Sequence, residues 1–180
     1  MYTVRAASVS DLSKIYAFQN TDHRERVLIQ PLPPYEVYLA EITKKLEDGQ
    51  QDFFLLEKNG ELEGFVDFAR SDSSWHPTFW SRWLNTLVYV CCEAAFRIRQ
   101  WPRINWYVRQ NNKRMHQICE RCEFRKTGED EFCNITEGFQ FVAIGKVTYF
   151  ELTAEEYLQK EGWIREQSLP VHFVKQFQIT

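Results

Sequence analysis

The sequence predicts a mixed α/β domain, and three observations carry that expectation. Segments with strand-like composition alternate with segments whose apolar residues recur at helical spacing. Asn59-Gly60, between two apolar runs, favours the positive φ values of a tight hairpin turn. A stripe of Trp83, Leu84, Leu87, Val88, Cys91, Ala94, Ala95 and Ile98 marks one long helix near the middle of the chain. At 180 residues and 44% hydrophobic, the chain suits one domain with a substantial core.

Tyr2 to Arg5 reads as a short strand, and Ser10-Asp11 opens a helix whose stripe is Leu12, Ile15, Tyr16 and Gln19. Thr21 to Pro34 is polar and then proline-rich, which predicts a loop. Tyr35 to Glu47 is a second helix, with Val37, Tyr38, Ala40, Glu41 and Ile42 on a mixed face, and Asp48-Gly49 ends it. Asp52 to Lys58 and Glu61 to Ala69 are the hairpin strands. Ser71 to Pro77 reads as a loop or a short fourth strand, followed by the long helix from about Thr78 or Trp80 to Arg99. Pro102 breaks the chain. Ile104 to Val108 is a strand, and Asn112 caps a helix that runs to about Cys122. A strand opens at Phe124 to Lys126, and a longer one spans Gln140 to Leu152. Thr153-Ala154-Glu155-Glu156 forms a capping box for a last short helix. Val171, Phe173, Phe177 and Ile179 then alternate with polar residues as in a final strand. The division expected is a main domain over residues 1–152 and a helix-and-strand tail over 153–180.

Composition narrows the function classes. No apolar run reaches the roughly 20 residues that span a bilayer, and Met1 to Arg5 has neither the basic start nor the apolar stretch of a secretion signal. A cytoplasmic protein with reduced thiols is therefore expected. Of its five cysteines, Cys119 and Cys122 have a metal-like spacing, but they fall in a helix without a second such pair, so no metal is expected. Net charge is −3, yet Arg97 to Lys126 holds nine basic residues against Glu120 and Glu123, a local charge of +7. Such a segment suits an anionic ligand or, alternatively, a solvated helix face. Trp101, Trp106 and Tyr107 lie within it. A nucleic-acid partner is not expected, because the whole chain is acidic and no nucleic-acid motif is present.

Two local motifs resemble those of the GNAT (Gcn5-related N-acetyltransferase) superfamily. One is Val4-Arg5 followed by Asp11-Leu12. The other sets Asn112 four residues after Val108, then a helix, then Phe124-Arg125-x-x-Gly128. The resemblance covers roughly residues 2–152. It implies a mainly antiparallel central sheet flanked by helices, with acetyl-CoA as cofactor and transfer of an acetyl group to an amine of a protein or small molecule. In that family a glycine-containing loop before the central helix lets backbone N–H groups approach the pyrophosphate. This chain departs from the pattern, with no glycine between Gly64 and Gly128 and with Trp75, Trp80 and Trp83 in the corresponding stretch.

Under this resemblance the candidate catalytic residues are Asp67 as a base, His76 beside the loop, and Cys119 where many members carry a tyrosine acid. The candidate cofactor ligands are Arg82, Asn112, Lys113 and Arg114. Each also has an ordinary reading: Asp67 as a solvent-facing strand residue, His76 as a loop histidine, Asn112 as a helix cap, and the cations as surface charge. The alternative function is a catalytically inactive GNAT-like structural or assembly protein, for example a phage virion component. It would bind partners through the tryptophan cluster and the C-terminal tail, including its own copies through residues 163–180.

Overall fold

The structure, a computed structural model, describes residues 1–21, 32–71, 74–137 and 140–174. Most of the predicted Thr21–Pro34 loop, and Phe177 and Ile179 of the predicted final strand, lie outside the described residues. The chain begins with β1 (Tyr2–Ala6), a 3-10 turn (Val9–Asp11), α1 (Leu12–Gln19) and α2 (Tyr35–Glu47). β2 (Gln51–Lys58) and β3 (Glu61–Ser71) form the hairpin, with Asn59 at φ 54° and Gly60 at φ 86° as its turn demands. Then come β4 (Ser74–Trp80), α3 (Leu84–Cys92) continued by a π-helical segment (Glu93–Ile98), β5 (Arg103–Arg109) and α4 (Lys113–Arg121). β6 (Arg125–Glu137), β7 (Gln140–Thr153), α5 (Ala154–Glu166) and β8 (Val171–Phe173) complete it.

All eight strands join one sheet in the order β6-β7-β5-β4-β3-β2-β1-β8. Pairing is antiparallel except at β4–β5 and β1–β8. Alternate strand residues feed two apolar layers. On one face Val4, Phe54, Leu56, Val66, Phe68, Ile104, Trp106 and Phe150 pack with α3, α4 and α5. On the other, Phe53, Leu55, Phe65 and Trp80 pack with α1 through Leu12 and Ile15 and with α2 through Leu39, Ile42 and Leu46.

The expected helix start is corrected. Residues from Thr78 to Trp80 belong to β4, and α3 begins only at Leu84. Trp75, Thr78, Phe79 and Trp80 are strand-forming types, and β4 pairs with β3 along its whole length, from Ser71↔Ser74 to Phe65↔Trp80. The tail segment also has its place. α5 crosses over α3, where Tyr157 stacks on Phe96 and donates to Glu93 at 2.5 Å, and β8 then pairs with β1 at the far edge. The 153–173 stretch thus completes the same sheet and core as residues before it.

Two local arrangements set the backbone around the centre of the sheet. Arg5 on β1 donates to Asp11 (2.9 and 2.7 Å) and to Glu57 on β2 (3.1 and 2.9 Å), while Asp11 also accepts from the Ser8 N–H at 2.9 Å. This network fixes the entry into α1. The guanidinium holds the Asp11 carboxyl far below the usual carboxylate range. Gly64 on β3 is the second case: a Cβ there would lie 2.4 Å from the Ser81 Cβ and 2.7 Å from the Trp80 carbonyl oxygen. The chain can therefore turn out of β4 directly against β3, and Ser81 Oγ donates to the Glu63 carbonyl at 2.9 Å.

Asp11→Asn is expected to cost about 2 kcal/mol, the scale of a hydrogen bond to a charged group. Because the folded pKa of Asp11 is depressed, its contribution is full above the unfolded value of about 3.9 and is lost as pH falls below it. Thermal unfolding of both proteins should therefore show a constant gap from pH 5 to 7 that closes below about pH 4. Gly64→Ala should destabilise by about 2–3 kcal/mol through overpacking against a backbone carbonyl, measured by urea unfolding. Ala at the spacious Gly162, where an added Cβ meets nothing within 4 Å, should show no such loss.

Candidate active site

The centre of the sheet is split. β4 and β5 run parallel, and their ladder consists of one residue pair, Trp75↔Ile104, at the start of both strands. Beyond it no further pair is laddered toward Trp80 and Arg109. Proline explains the break: Pro77 has no N–H, so a place in the β3 ladder requires its nitrogen to face away from β3, toward β5. The next donor along that edge is therefore missing. Since backbone groups alternate sides along a strand, the Pro77 carbonyl and the Phe79 N–H and C=O face the gap without a β5 ladder. An unpaired sheet interior of this kind can accept a ligand's amide groups in place of a strand.

Both helices that follow these strands begin at the open end of the gap. Crevices beyond the carboxyl ends of parallel strands are general ligand sites, and helix N-termini favour anions. At the first N-terminus, Ser81-Arg82-Trp83 forms the turn into α3. Trp83 N–H donates to Ser81 Oγ at 2.9 Å and its indole N–H to Glu63 at 3.2 Å. At the second, Asn112 caps α4 by accepting from the Met115 N–H at 3.1 Å, which satisfies its cap reading. Arg114 in the first turn of α4 donates to the Arg82 carbonyl at 3.0 Å, tying the two N-termini together. Arg82 lies 3.6 Å from Glu63 and over the Trp83 ring. Lys113 and Arg114 have no carboxylate partner among the described residues. All four predicted cofactor ligands thus converge on one end of the gap.

On the α1/α2 side of the same strands lies a polar floor. Asp67 on β3 stands opposite Thr78 on β4, and His76 is its diagonal cross-strand neighbour, a separation of about 7–8 Å between backbones. Gln51 donates to Asp67, and Tyr38 of α2 is close enough to feel its charge. Burial pushes the Asp67 carboxyl up to about 7, with Asp52 on the opposite face adding repulsion and Gln51 and Lys45 opposing the rise. Tyr16 and Tyr38 meet at 5.0 Å, and Tyr16 and Tyr35 at 5.2 Å. Three buried polar atoms on this face, Gln19 Oε1, Tyr38 Oη and Trp80 Nε1, have no hydrogen-bond partner among the described residues. An unsatisfied buried group costs about 1–3 kcal/mol, so this face suits a polar guest.

His76 is close by but engaged with Ser74, 3.1 Å from its Oγ. Cys119 is apart from these groups. It is fully buried on α4 against Trp106, and burial pushes its thiol up to about 12. The three tryptophans do not form one cluster. Trp80 is buried on the α1/α2 face stacked on Phe65, while Trp75 stacks on Trp101 on the opposite face and Trp83 meets Tyr2. Sequence reasoning missed Gln51, Thr78, Tyr38 and Pro77 as parts of the site. Thr78 was hidden by its assignment to a helix, and the others have signals only once strand register is known.

No protein-family model and no curated protein matches this chain. Solved structures do. The spermidine N-acetyltransferase SpeG of Vibrio cholerae in complex with CoA and spermine superposes with a TM-score of 0.72 at 18% identity, over 87% of this chain and 98% of that one. A dodecameric structure of the same enzyme in an intermediate state gives 0.69 at 19%, over 87% and 96%. A chimera made from the Vibrio cholerae enzyme gives 0.72 at 18%, over 87% and 98%. The split parallel pair, the two helices at its open end and the likeness to these acetyltransferases together show that the chain has the GNAT fold.

Proposed function

We propose that this protein transfers an acetyl group from acetyl-CoA to the nitrogen of a small cationic amine. The observation that carries the reading is the gap between β4 and β5, with two helix N-termini and Lys113 and Arg114 at its open end. That end suits a diphosphate, and the unladdered edge of β4 suits the amides of the pantetheine arm. Acetyl-CoA supplies the acyl carbon as a thioester. The Asp67 carboxylate takes a proton from the incoming ammonium, the freed nitrogen forms the C–N bond, and the C–S bond breaks to release the thiol. The Phe79 N–H is the donor available to the acyl oxygen. Cys119 is given no acid role, because it is sealed in the core. The departing thiolate takes its proton from solvent at the open end.

A cationic acceptor is favoured by the wall that faces Asp67. Tyr16, Tyr35 and Tyr38 offer aromatic surface beside a carboxylate, a combination that attracts ammonium groups. The solved structures with this fold include a spermidine N-acetyltransferase holding spermine, which supports a di- or polyamine as the acceptor class. Dodecamers are known for that enzyme, and an oligomer of this chain is part of the same proposal.

Acetyl-CoA at a hundredfold over its Kd should add about 2.7 kcal/mol of stability, raising the melting temperature by roughly 5–10 °C for a domain of this size. No shift at millimolar acetyl-CoA would overturn the reading. Asp67→Asn should lower kcat by about 10²–10³-fold while leaving the acetyl-CoA shift intact. The wild-type rate should climb as pH rises through about 7, where Asp67 loses its proton. The variant should lack that limb, as measured by spermidine acetylation across pH 5.5–8.5.

A further inference from the structure

Three aspartates around the sheet accept side-chain hydrogen bonds from distant parts of the chain or the neighbouring strand, and their donors differ in charge. Asp11 is held by the Arg5 guanidinium at 2.9 and 2.7 Å, and Asp52 on β2 by that of Arg99 at 2.6 Å. Asp67 is held by the side-chain amide of Gln51, a neutral donor. The order of residues in β2 produces this difference. Successive side chains leave a strand on opposite faces, so Gln51, like Phe53, is on the α1/α2 side with Asp67, while Asp52 meets Arg99 on the other. The turn before β2 fixes the Gln51 backbone. Gly49 at φ 64° ends α2, the Gln50 N–H donates to the Lys45 carbonyl at 2.8 Å, and the Gln50 carbonyl accepts from the Arg70 N–H at 2.9 Å.

We propose that Gln51 is the positioning residue for proton transfer: it holds Asp67 through Oδ1 and leaves Oδ2 to take the proton of the acceptor ammonium. The inference rests on the acetyl-transfer reading above, in which Asp67 is the base. In that step an N–H bond breaks, its electron pair stays on nitrogen, and an O–H bond forms at Oδ2. Oδ2 accepts no hydrogen bond among the described residues, and Asp67 keeps part of its surface accessible. A base must be negative before the transfer and neutral after it. A guanidinium partner strongly favours the charged form, as at Asp11, whose carboxyl lies far below the usual range. An amide favours it less, so it orients the carboxylate without locking it as an anion. The remaining groups near Asp67 act at longer range. Tyr38 and Lys45 face it from α2, with Lys45 paired to Glu41 at 2.6 Å. His76 lies diagonally on β4 beside Ser74, and Asp52 acts from the opposite face. Among the described residues, Gln51 alone bonds the Asp67 carboxylate directly.

The test is the pH dependence of kcat/KM for spermidine, at saturating acetyl-CoA, in wild type, Gln51→Met and Gln51→Lys. The Asp67 carboxyl carbon is titrated in each protein by carbon NMR. Methionine removes the donor at similar length, and lysine replaces it with a cation. The rising limb reports the protonation of the base, and the acceptor's own titration is common to all three proteins. Losing a bond to the charged form raises a carboxyl, whereas a nearby cation lowers it. The limb should therefore move from about 7 up by about one pH unit in Gln51→Met and down by about one to two in Gln51→Lys. The NMR midpoints should move in the same order. A merely structural role would lower the rate in both variants with the limb in place, and that result would overturn the proposal. Equal NMR midpoints in the three proteins would overturn it as well. Midpoints in the expected order with unmoved limbs would show that Asp67 is not the base, which removes the positioning role and leaves acetyl-CoA binding standing. A wild type that binds no acetyl-CoA would sink the acetyl-transfer reading and this role with it, however the carboxyl titrates.

Discussion

The two halves of the sheet are joined in register at a single pair, Trp75 and Ile104, and the rest of the molecule is arranged around that weak seam. One backbone bridge cannot hold two half-sheets together in water, so side chains do it. Trp75 stacks on Trp101 at 4.1 Å, and Trp101 meets Phe68 of β3 edge-on at 5.1 Å. These rings lie at the base of the fork, where they bury large apolar areas without filling the gap above. α3 and α4 pack across the same face through Leu87, Val88, Met115 and Ile118. The seam is thus closed at one end by aromatic packing and kept open at the other by a proline that cannot extend the ladder.

Arg97 to Lys126 looks uniform in sequence, and the fold divides it by function. Arg97 pairs with Glu161, Arg99 with Asp52, Arg103 and Arg125 with Glu151, and Lys126 with Glu129. These pairs tie α5, β2, β7 and β6 to their neighbours, and exposed ones contribute little stability each. Lys113, Arg114 and Arg121 lie at the two ends of α4 and escape this pairing among the described residues. The positive field is therefore concentrated along one helix beside the N-terminus of α3. A short helix-length patch of this kind offers few phosphate contacts to an extended nucleic-acid backbone.

Period and turn chemistry made most of the fold legible. The Asn59-Gly60 turn, the Asn112 cap and the Thr153–Glu156 capping box are all present as read. The failure at β4 has a physical cause. The stripe from Leu84 onward is helical as read, but at the expected start, Thr78 or Trp80, the pairing of β4 with β3 overrides it. Where the strand ends depends in part on a distant residue, Gly64, whose missing Cβ admits the Ser81 turn. No window around Thr78 contains that information. Asp67 on β3 and His76 on β4 come to share a face only through register, which the sequence does not display.

The absence of glycine between Gly64 and Gly128 is the main departure from the family pattern, and the turn after α4 shows that a glycine-like backbone can be kept without the residue. The family that residues 108–128 resemble commonly has a glycine just before the motif phenylalanine, and this chain has Glu123 there. Yet Glu123 adopts φ 51°, the left-handed backbone that glycine would take. Its N–H donates to the Glu120 carbonyl at 3.0 Å and that of Phe124 to the Cys119 carbonyl at 2.9 Å, which together close α4 as a glycine-ended helix closes. The strain of a side chain at that φ, about 1–2 kcal/mol, is offset by the two bonds and by Lys160, which donates to the Glu123 carbonyl at 2.5 Å. At the β4–α3 turn, room for the Ser81 side chain and the Trp80 carbonyl comes from Gly64 on the neighbouring strand. Backbone geometry at Glu123 and room at Gly64 are thus set by residues that lie outside the β4–α3 turn itself.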